Sequence, residues 1–483
     1  MSRILALMGV SVAVLIIGVP IIRAETAELE LQTLPESYEY RTKEYYLNLI
    51  SPQHFYLHRE MSDQWQGEEF EQIVKKEPKY SCERPFKAVA KIGSYRYAFA
   101  LDSTKLAAEG FNRLYLDANR NGDLTDEKPI RARPMDGIFG GSYRHREFPP
   151  QTLVVEAGGQ KFEMPFALSV GSHVVEDDLF YVSVSLKASA YRHGKIQIDG
   201  KPHEIILLDY NSNGTFNDEF WMDEEVHGQD APAYPHTGDM VLIDPDHKAP
   251  RYSGYSPCDS PDRQYLSKLV NVEGRYYRIS VTPAGDKVTL EPAKLPLGSV
   301  VNASGPYRAV IYGKEGLIKI AGDKDKPVAV PAGKWRLLEY QLDLTDAKPA
   351  SKSKEAATQP APAKKKKSLA QRLASIFGGD GDEIVFSTGP KLTLAQARAT
   401  HEFKPMTVAQ GKTERLVFGP PYKPIVRVAY VNDRDVHLQL DIIGSAGEYC
   451  DALMVKGSQP GKPSFRIMKN DGTLVKKGQF EYG

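Results

Sequence analysis

The chain has 483 residues, 41% hydrophobic and 26% charged, a globular balance that is too long for one ordinary core. Lys+Arg and Asp+Glu both number 62, so the net charge is zero and no overall field draws the chain to nucleic acid or to anionic membrane. The 26 Tyr, 18 Phe, 39 Gly and 33 Pro describe aromatic strands punctuated by turns, and Cys82, Cys258 and Cys450 lie too far apart for a CxxC redox or zinc site.

At the N-terminus, Arg3 precedes an apolar run from Ile4 to Ile22, and Arg23-Ala24-Glu25 follows. A positive start, an apolar centre and a small residue at the exit make residues 1–24 an expected signal peptide, cleaved after Ala24, with the product periplasmic or extracellular. The run has 19 residues, close to the roughly 20 that span a bilayer, so an uncleaved N-terminal anchor is the alternative. No other segment is long and apolar enough to cross a membrane, so no transmembrane segment is expected after cleavage.

The first expected domain covers 25–150. Its opening stretch, to about Lys76, is charged and aromatic and reads as irregular with some helix. KAVAKIGSYRYAFAL, ending at Leu101, alternates around a Gly turn as a hairpin does, and Arg113 to Asp117 is a short strand. In the second domain, 151–295, Phe180 to Leu186 alternates as a half-buried strand. Lys195–Ile198 and His203–Leu208 flank Asp199-Gly200, a pair that tolerates the positive φ of a tight hairpin turn. Arg275–Val281 and Lys287–Leu290 form another hairpin.

A small β module spans 296–346, with strands expected between Val328 and Tyr340. Ala347 to Lys367 then holds seven Lys, six Ala and three Pro, a linker composition that cannot bury enough apolar surface to order itself. Within the last domain, 368–483, Ser368 to Phe377 is an amphipathic helix and Leu394 to His401 looks helical. Val436–Ile443 and the hairpin across Asn470-Asp471-Gly472 are strands. The expected architecture is mainly β, several antiparallel β-sandwich-like domains with few short helices.

An internal repeat carries the clearest chemistry. Asp117-Ala-Asn119-Arg-Asn121-Gly122-Asp123-Leu-Thr-Asp126-Glu127 matches Asp209-Tyr-Asn211-Ser-Asn213-Gly214-Thr-Phe-Asn-Asp218-Glu219 at six of eleven positions. Each copy follows a strand. Oxygens at positions 1, 3 and 5 converge when Gly at 6 permits the sharp turn, which is the front half of a calcium loop. Position 12 is Lys128 or Phe220 rather than the bidentate Glu of an EF-hand, so Asp126 and Glu127, or Asp218 and Glu219, must close the shell. The expected ligands of Ca²⁺ are therefore Asp117, Asn119, Asn121, Asp123, Asp126 and Glu127 in one loop, and Asp209, Asn211, Asn213, Asp218 and Glu219 in the other. The extra carboxylate of Asp123 should make the first loop the tighter. A metal-free Asx turn explains the same residues without calcium.

Other chemistry is less defined. Asp223, His227, Asp230, His236, Asp239, Asp244, Asp246 and His247 could build a secreted hydrolase, but they follow no ligand motif. His54 and His58 lie four apart and could share a helical face, but Phe55 and Tyr56 between them point to packing instead. No GxSxG, GxxxxGK[ST] or strand-following GxGxxG occurs. The phrases LYLDANRNGDLTDEKP, LLDYNSNGTFNDEF and SFRIMKNDGTLVKKGQFEYG resemble uncharacterised secreted bacterial proteins bearing Asp-x-Asn-x-Asn-Gly loops. That resemblance implies export and a sandwich-like build, without an activity. Val330-Pro-Ala-Gly-Lys-Trp335-Arg-Leu337 is similar to a strand of transthyretin-like sandwich modules, with Trp335 where those carry Tyr. The functional expectation is an exported, non-enzymatic envelope or extracellular binding or structural protein. Its partner would be an envelope polymer, glycan or protein, and nucleic acid is not expected.

Overall fold

The computed structural model describes residues 24–33, 49–58, 67–133, 143–175, 178–223, 231–246, 256–346, 392–431 and 436–482. The expected signal run, the 347–367 linker and the helix at 368–377 lie outside these residues. The described chain is mainly β, built of several antiparallel sheets with two short helices, Gly67–Ile73 and Leu106–Glu109.

Most strands form where the alternation places them. Phe86–Ile92 and Tyr95–Asp102 pair across Gly93, and Arg113–Leu116 joins their free edge. Ala190–Ile198 and Lys201–Leu208 pair across Asp199 and Gly200, at φ 51° and 79°, the two left-handed residues a type I′ turn demands. Arg275–Val281 pairs with Lys287–Pro292. In Gln160–Val175 the strand bends through a register shift at His173 and serves three partners, Gln151–Ala157, Tyr143–Glu147 and Asp178–Ala188.

The opening stretch departs from the irregular reading. Glu25–Glu28 pairs with Lys287–Pro292, Glu30–Thr33 with Ala190–Ile198, and Gln53–His58 with Asp178–Ala188. These are short edge strands whose partners stand more than a hundred residues away, and local periodicity carries no trace of such partners. His54 therefore lies on a strand, not a helix, beside Tyr56, while Phe55 points to the other face and meets Phe99 edge-on. Segments 25–150 and 151–295 thus share sheets, and one apolar core joins them, from Ala27 through Ala88, Val155, Val184 and Ile206 to Leu290.

A second core gathers Val300, Tyr307, Trp335, Tyr340, Ala397 and Phe418. Its main sheet runs in the order Gly316–Gly322, Tyr307–Gly313, Gly333–Asp343, Leu394–Arg398, Tyr449–Met454, Val436–Ile443, Lys423–Val431. Leu394 to His401 was expected to be helical, because Ala, Leu, Gln and Arg favour helices. It is a strand instead, wedged between Gly333–Asp343 and Tyr449–Met454 and paired to both, so sheet pairing overrides local propensity. Its alanines let neighbouring layers approach.

A buried polar network joins the two cores. Glu339, 2% exposed, accepts from Ser256 Oγ at 2.7 Å, Tyr265 OH at 3.1 Å and Arg398 Nη2 at 2.5 Å. Beside it, Lys319 Nζ donates to the carbonyls of Ser260, Pro261 and Arg263, and burial pulls its pKa down to about 7. Removing one partner of a buried ion pair strands the other. Glu339→Leu should therefore cost about 3–5 kcal/mol, and adding Arg398→Met should recover much of the loss. Chemical denaturation of the two variants checks this, and an additive double variant would show that the pair does not couple.

Candidate functional site

Both acidic loops leave strands held on two sides. Arg113–Leu116 lies between Tyr95–Asp102 and Ile130–Arg131, and Lys201–Leu208 lies between Ala190–Ile198 and Met240–Ile243. The two loops take one conformation. Position 4 is left-handed in each, Arg120 at φ 61° and Ser212 at 57°, and so is position 6, Gly122 at 78° and Gly214 at 82°. Asp117 and Asp209, both 0% exposed, turn back on their own loops. Asp117 accepts the N–H of Asn121 and of Gly122 at 3.0 Å each, and Asp209 those of Asn213 at 2.9 Å and Gly214 at 2.8 Å. Position 8, which the repeat leaves variable, is apolar and buried in both, Leu124 and Phe216, and anchors each loop to the protein.

The position-10 carboxylates close the loops. Asp126 Oδ2 meets the side-chain amides of Asn119 at 3.3 Å and Asn121 at 2.7 Å. Asp218 Oδ2 meets those of Asn211 at 3.0 Å and Asn213 at 2.5 Å, and also Thr215 Oγ1 at 3.0 Å. Positions 1, 3, 5 and 10 thus converge in both copies.

The last expected ligand differs between them. Glu127 Oε1 caps the N–H of Ala118 and Asn119, at positions 2 and 3. In the second loop Glu219 is exposed, and Asp239 takes the capping role from outside the repeat. Asp239 accepts Tyr210 N, at position 2, at 3.0 Å and Asp218 N at 2.9 Å. The sequence places Asp239 only among the His and Asp residues of a possible hydrolase, because the eleven-residue repeat ends before it. Asp123 is likewise not turned inward: it pairs with Lys76 at 2.8 Å and caps Thr125. Lys76 and those caps hold its carboxyl low, at about 2.

The electrostatics suit a cation. Burial raises the Asp209 carboxyl to about 7, and nearby Asp218 adds to this. Burial lifts Asp239 well above the usual carboxylate range, reinforced by Asp209 and Asp218. In the first loop burial raises Glu127, with Asp117 and Asp126 adding to the rise, and Glu127 Oε2 is buried with no hydrogen-bond partner. An orphaned carboxylate oxygen beside two more carboxylates is an environment that a hard divalent ion would neutralise, and its donors are of the oxygen type that calcium takes. Among the described residues no group of three or more His, Cys, Asp or Glu is arranged so as to hold a metal ion. The remaining donors of each loop are Asn amides and carbonyls. Asn amides present oxygen or nitrogen by a half-turn.

Each loop is also a junction. Gly122 O receives the N–H of Lys75 and Lys76, and Lys76 O receives that of Leu124, so the first loop holds the exit of helix Gly67–Ile73. In the second loop, Asn213 O receives Gly93 N, Ser212 Oγ donates to Ser51 O and accepts Ala188 N, and Gln53 Nε2 donates to Ser212 O. A side chain at Gly214 would collide with Ile92 and Val155, so close approach requires glycine there.

The histidines and aspartates between 221 and 247 separate into distinct places. His236 bonds Asp223 at 2.7 Å and stacks on Trp221, His203 bonds Asp244 at 2.6 Å, and Asp239 belongs to the second loop. His227, Asp230 and His247 lie outside the described residues.

The raised Asp209 carboxyl gives a pH signature. A carboxyl protonated more readily when folded than when unfolded contributes stability that falls as pH rises from the ordinary aspartate range to about 7. Asp209→Asn removes that titration. In chelator, the gap in melting temperature between wild type and variant should shrink as pH rises from about 4 to about 7. A constant gap would mean the carboxyl is not raised.

No family model matches the chain, and no curated protein or solved structure matches it either.

Proposed function

We propose that the chain is an exported, non-enzymatic binding or structural protein of the cell envelope or extracellular space, whose two loops bind calcium weakly and stiffen it. One observation supports this reading: each loop sets carboxylates within electrostatic reach of one another where separate parts of the chain attach. Asp117, Asp126 and Glu127 sit where the Val74–Lys76 segment docks. Asp209, Asp218 and Asp239 sit where Ser51, Gln53 and Gly93 dock. A cation there relieves like-charge repulsion and tightens those attachments, a structural role rather than a catalytic one.

Export is supported by the Arg3, apolar-run and Ala24 pattern, and by the strand Glu25–Glu28, which starts at the residue that cleavage would make the first. Trp221, with His236 stacked on one face, and Tyr234, with Arg398 over its ring, remain 51% and 65% exposed, and their open sides suit an envelope glycan or polymer as partner.

Affinity is set by what calcium displaces. Asn amides already donate to Asp126 and Asp218, and the ion must replace those bonds. A dissociation constant on the order of 10⁻⁴–10⁻³ M is expected, as in extracellular modules. The second loop should bind more tightly, because its carboxylates are more deeply buried and Asp123 of the first is tied to Lys76. Thermal unfolding with calcium and with chelator tests this. At about ten times the dissociation constant each site should add roughly 1–2 kcal/mol. Asp209→Ala should lose more of the calcium response than Asp117→Ala. An unchanged wild-type melting temperature up to about 10 mM calcium, well above weak-site affinities, would make both loops plain Asx turns.

A further inference from the structure

The sheet of Gln53–His58, Asp178–Ala188, Gln160–Val175 and Tyr143–Glu147 turns one face to the first core, through Phe55, Val182, Val184, Leu168 and Val170. Side chains alternate along a strand, so the residues between these form the opposite face. Register sets them in rows. His54, Ser185, Ser169 and Glu147 lie side by side, then Tyr56, Ser183, Gly171 and His145, then Tyr181, His173 and Tyr143. The rows cover roughly 14 Å across the strands and about 13 Å along them. No side chain in them is aliphatic, and none is Lys or Arg.

The rings on this face hold set positions. His54 stacks on Tyr56 at 5.6 Å and Tyr56 on Tyr181 at 6.2 Å, and Ser185 Oγ lies 3.2 Å from His54 Nδ1. A Cβ built on Gly171 would collide with the hydroxyl of Tyr143, so glycine there lets the Tyr143 ring reach over the neighbouring strand. Tyr56 and Tyr143 are 49% and 40% exposed.

Composition decides between occupants. A bilayer takes aliphatic anchors with a cationic surplus, an anionic polymer takes Lys and Arg, and a second copy packed face to face needs an apolar interface core. These rows offer none of the three. Glu147 within them and Lys187 in the bordering row, paired with Ala167, are of opposite sign, so no net charge selects a charged partner. Ser and Tyr hydroxyls and neutral imidazoles both donate and accept hydrogen bonds, and aromatic rings pack against apolar C–H surface. A neutral sugar ring presents both, with hydroxyls around its edge and C–H groups on its faces.

We propose that this sheet face binds a neutral polysaccharide, with Tyr56 and Tyr143 as its stacking rings. The proposal rests on the reading of a glycan partner and gives that partner a place separate from Trp221 and Tyr234. The chain from Glu25 onward is run in native gels cast with xyloglucan, galactomannan or hydroxyethyl cellulose, and with polygalacturonate as the anionic polymer. Chelator is present throughout, so calcium plays no part. Retardation by at least one neutral polymer, and none by polygalacturonate, is expected. Tyr56→Ala with Tyr143→Ala should weaken the binding about tenfold or more. Gly171→Ala keeps every ring but displaces that of Tyr143. It should weaken binding at least about threefold, and it serves should the double variant misfold. Retardation that survives both of these variants but is lost in Trp221→Ala with Tyr234→Ala would overturn the proposal and leave the glycan reading standing. Retardation by no neutral polymer would overturn both. Retardation by polygalacturonate alone, or a dimer that Tyr56→Ala with Tyr143→Ala dissociates, would also overturn the proposal.

Discussion

A carboxylate taken out of water must be compensated where it sits, and Asp117 and Asp209 are fully buried. The compensation is local. Both oxygens of each are held by backbone N–H groups of the loop that follows, which forces left-handed residues at positions 4 and 6 and sets the curvature of the whole turn. Once the turn is set, its outer carbonyls point where other segments attach. The helix exit at Val74–Lys76 and the strand entry at Ser51–Gln53 are bonded to these loops, beside the packing of Phe70 and Val74 in one core cluster and of Leu49 and Ile50 in another.

From this common frame the two copies diverge in how they finish. The first closes with its own Glu127 and sends Asp123 out to Lys76. The second recruits Asp239 from the segment that leads into Met240–Ile243, which ties the loop to the adjacent strand of its own sheet. The first copy thus caps itself with a carboxylate of its own repeat, and the second is capped from a neighbouring segment. Depth raises the Asp209 and Asp239 carboxyls, because burial disfavours charge and neighbouring acids compound it.

The rest of the architecture shows the same contrast between a compact interior and an open end. One core runs from Ala27 to Leu290, the Glu339–Arg398 network joins it to the second, and the sheet then runs out into Val436–Ile443 and Lys423–Val431, where side-chain burial is largely lost. In its buried strands the main sheet is covered on both sides. In its last two it is a ribbon touched only at the base.

The amino-acid sequence by itself determined the mainly β character, the hairpins around Gly93, Asp199-Gly200 and Pro283 to Asp286, and the paired loops. All of these follow from local rules of period-two alternation, turn residues with positive φ, and a repeat within eleven positions. Tertiary structure alone decided the fate of Leu394–Arg398, whose helix-favouring residues are overruled by strands on both sides. It also decided the pairing of Glu25–Glu28 with Lys287–Pro292, the substitution of Asp239 for Glu219, and the buried company of Glu339. The physical reason is common to all of these. Each depends on a partner far away in the chain, and a non-local hydrogen bond or ion pair leaves no periodic mark on the residues that make it.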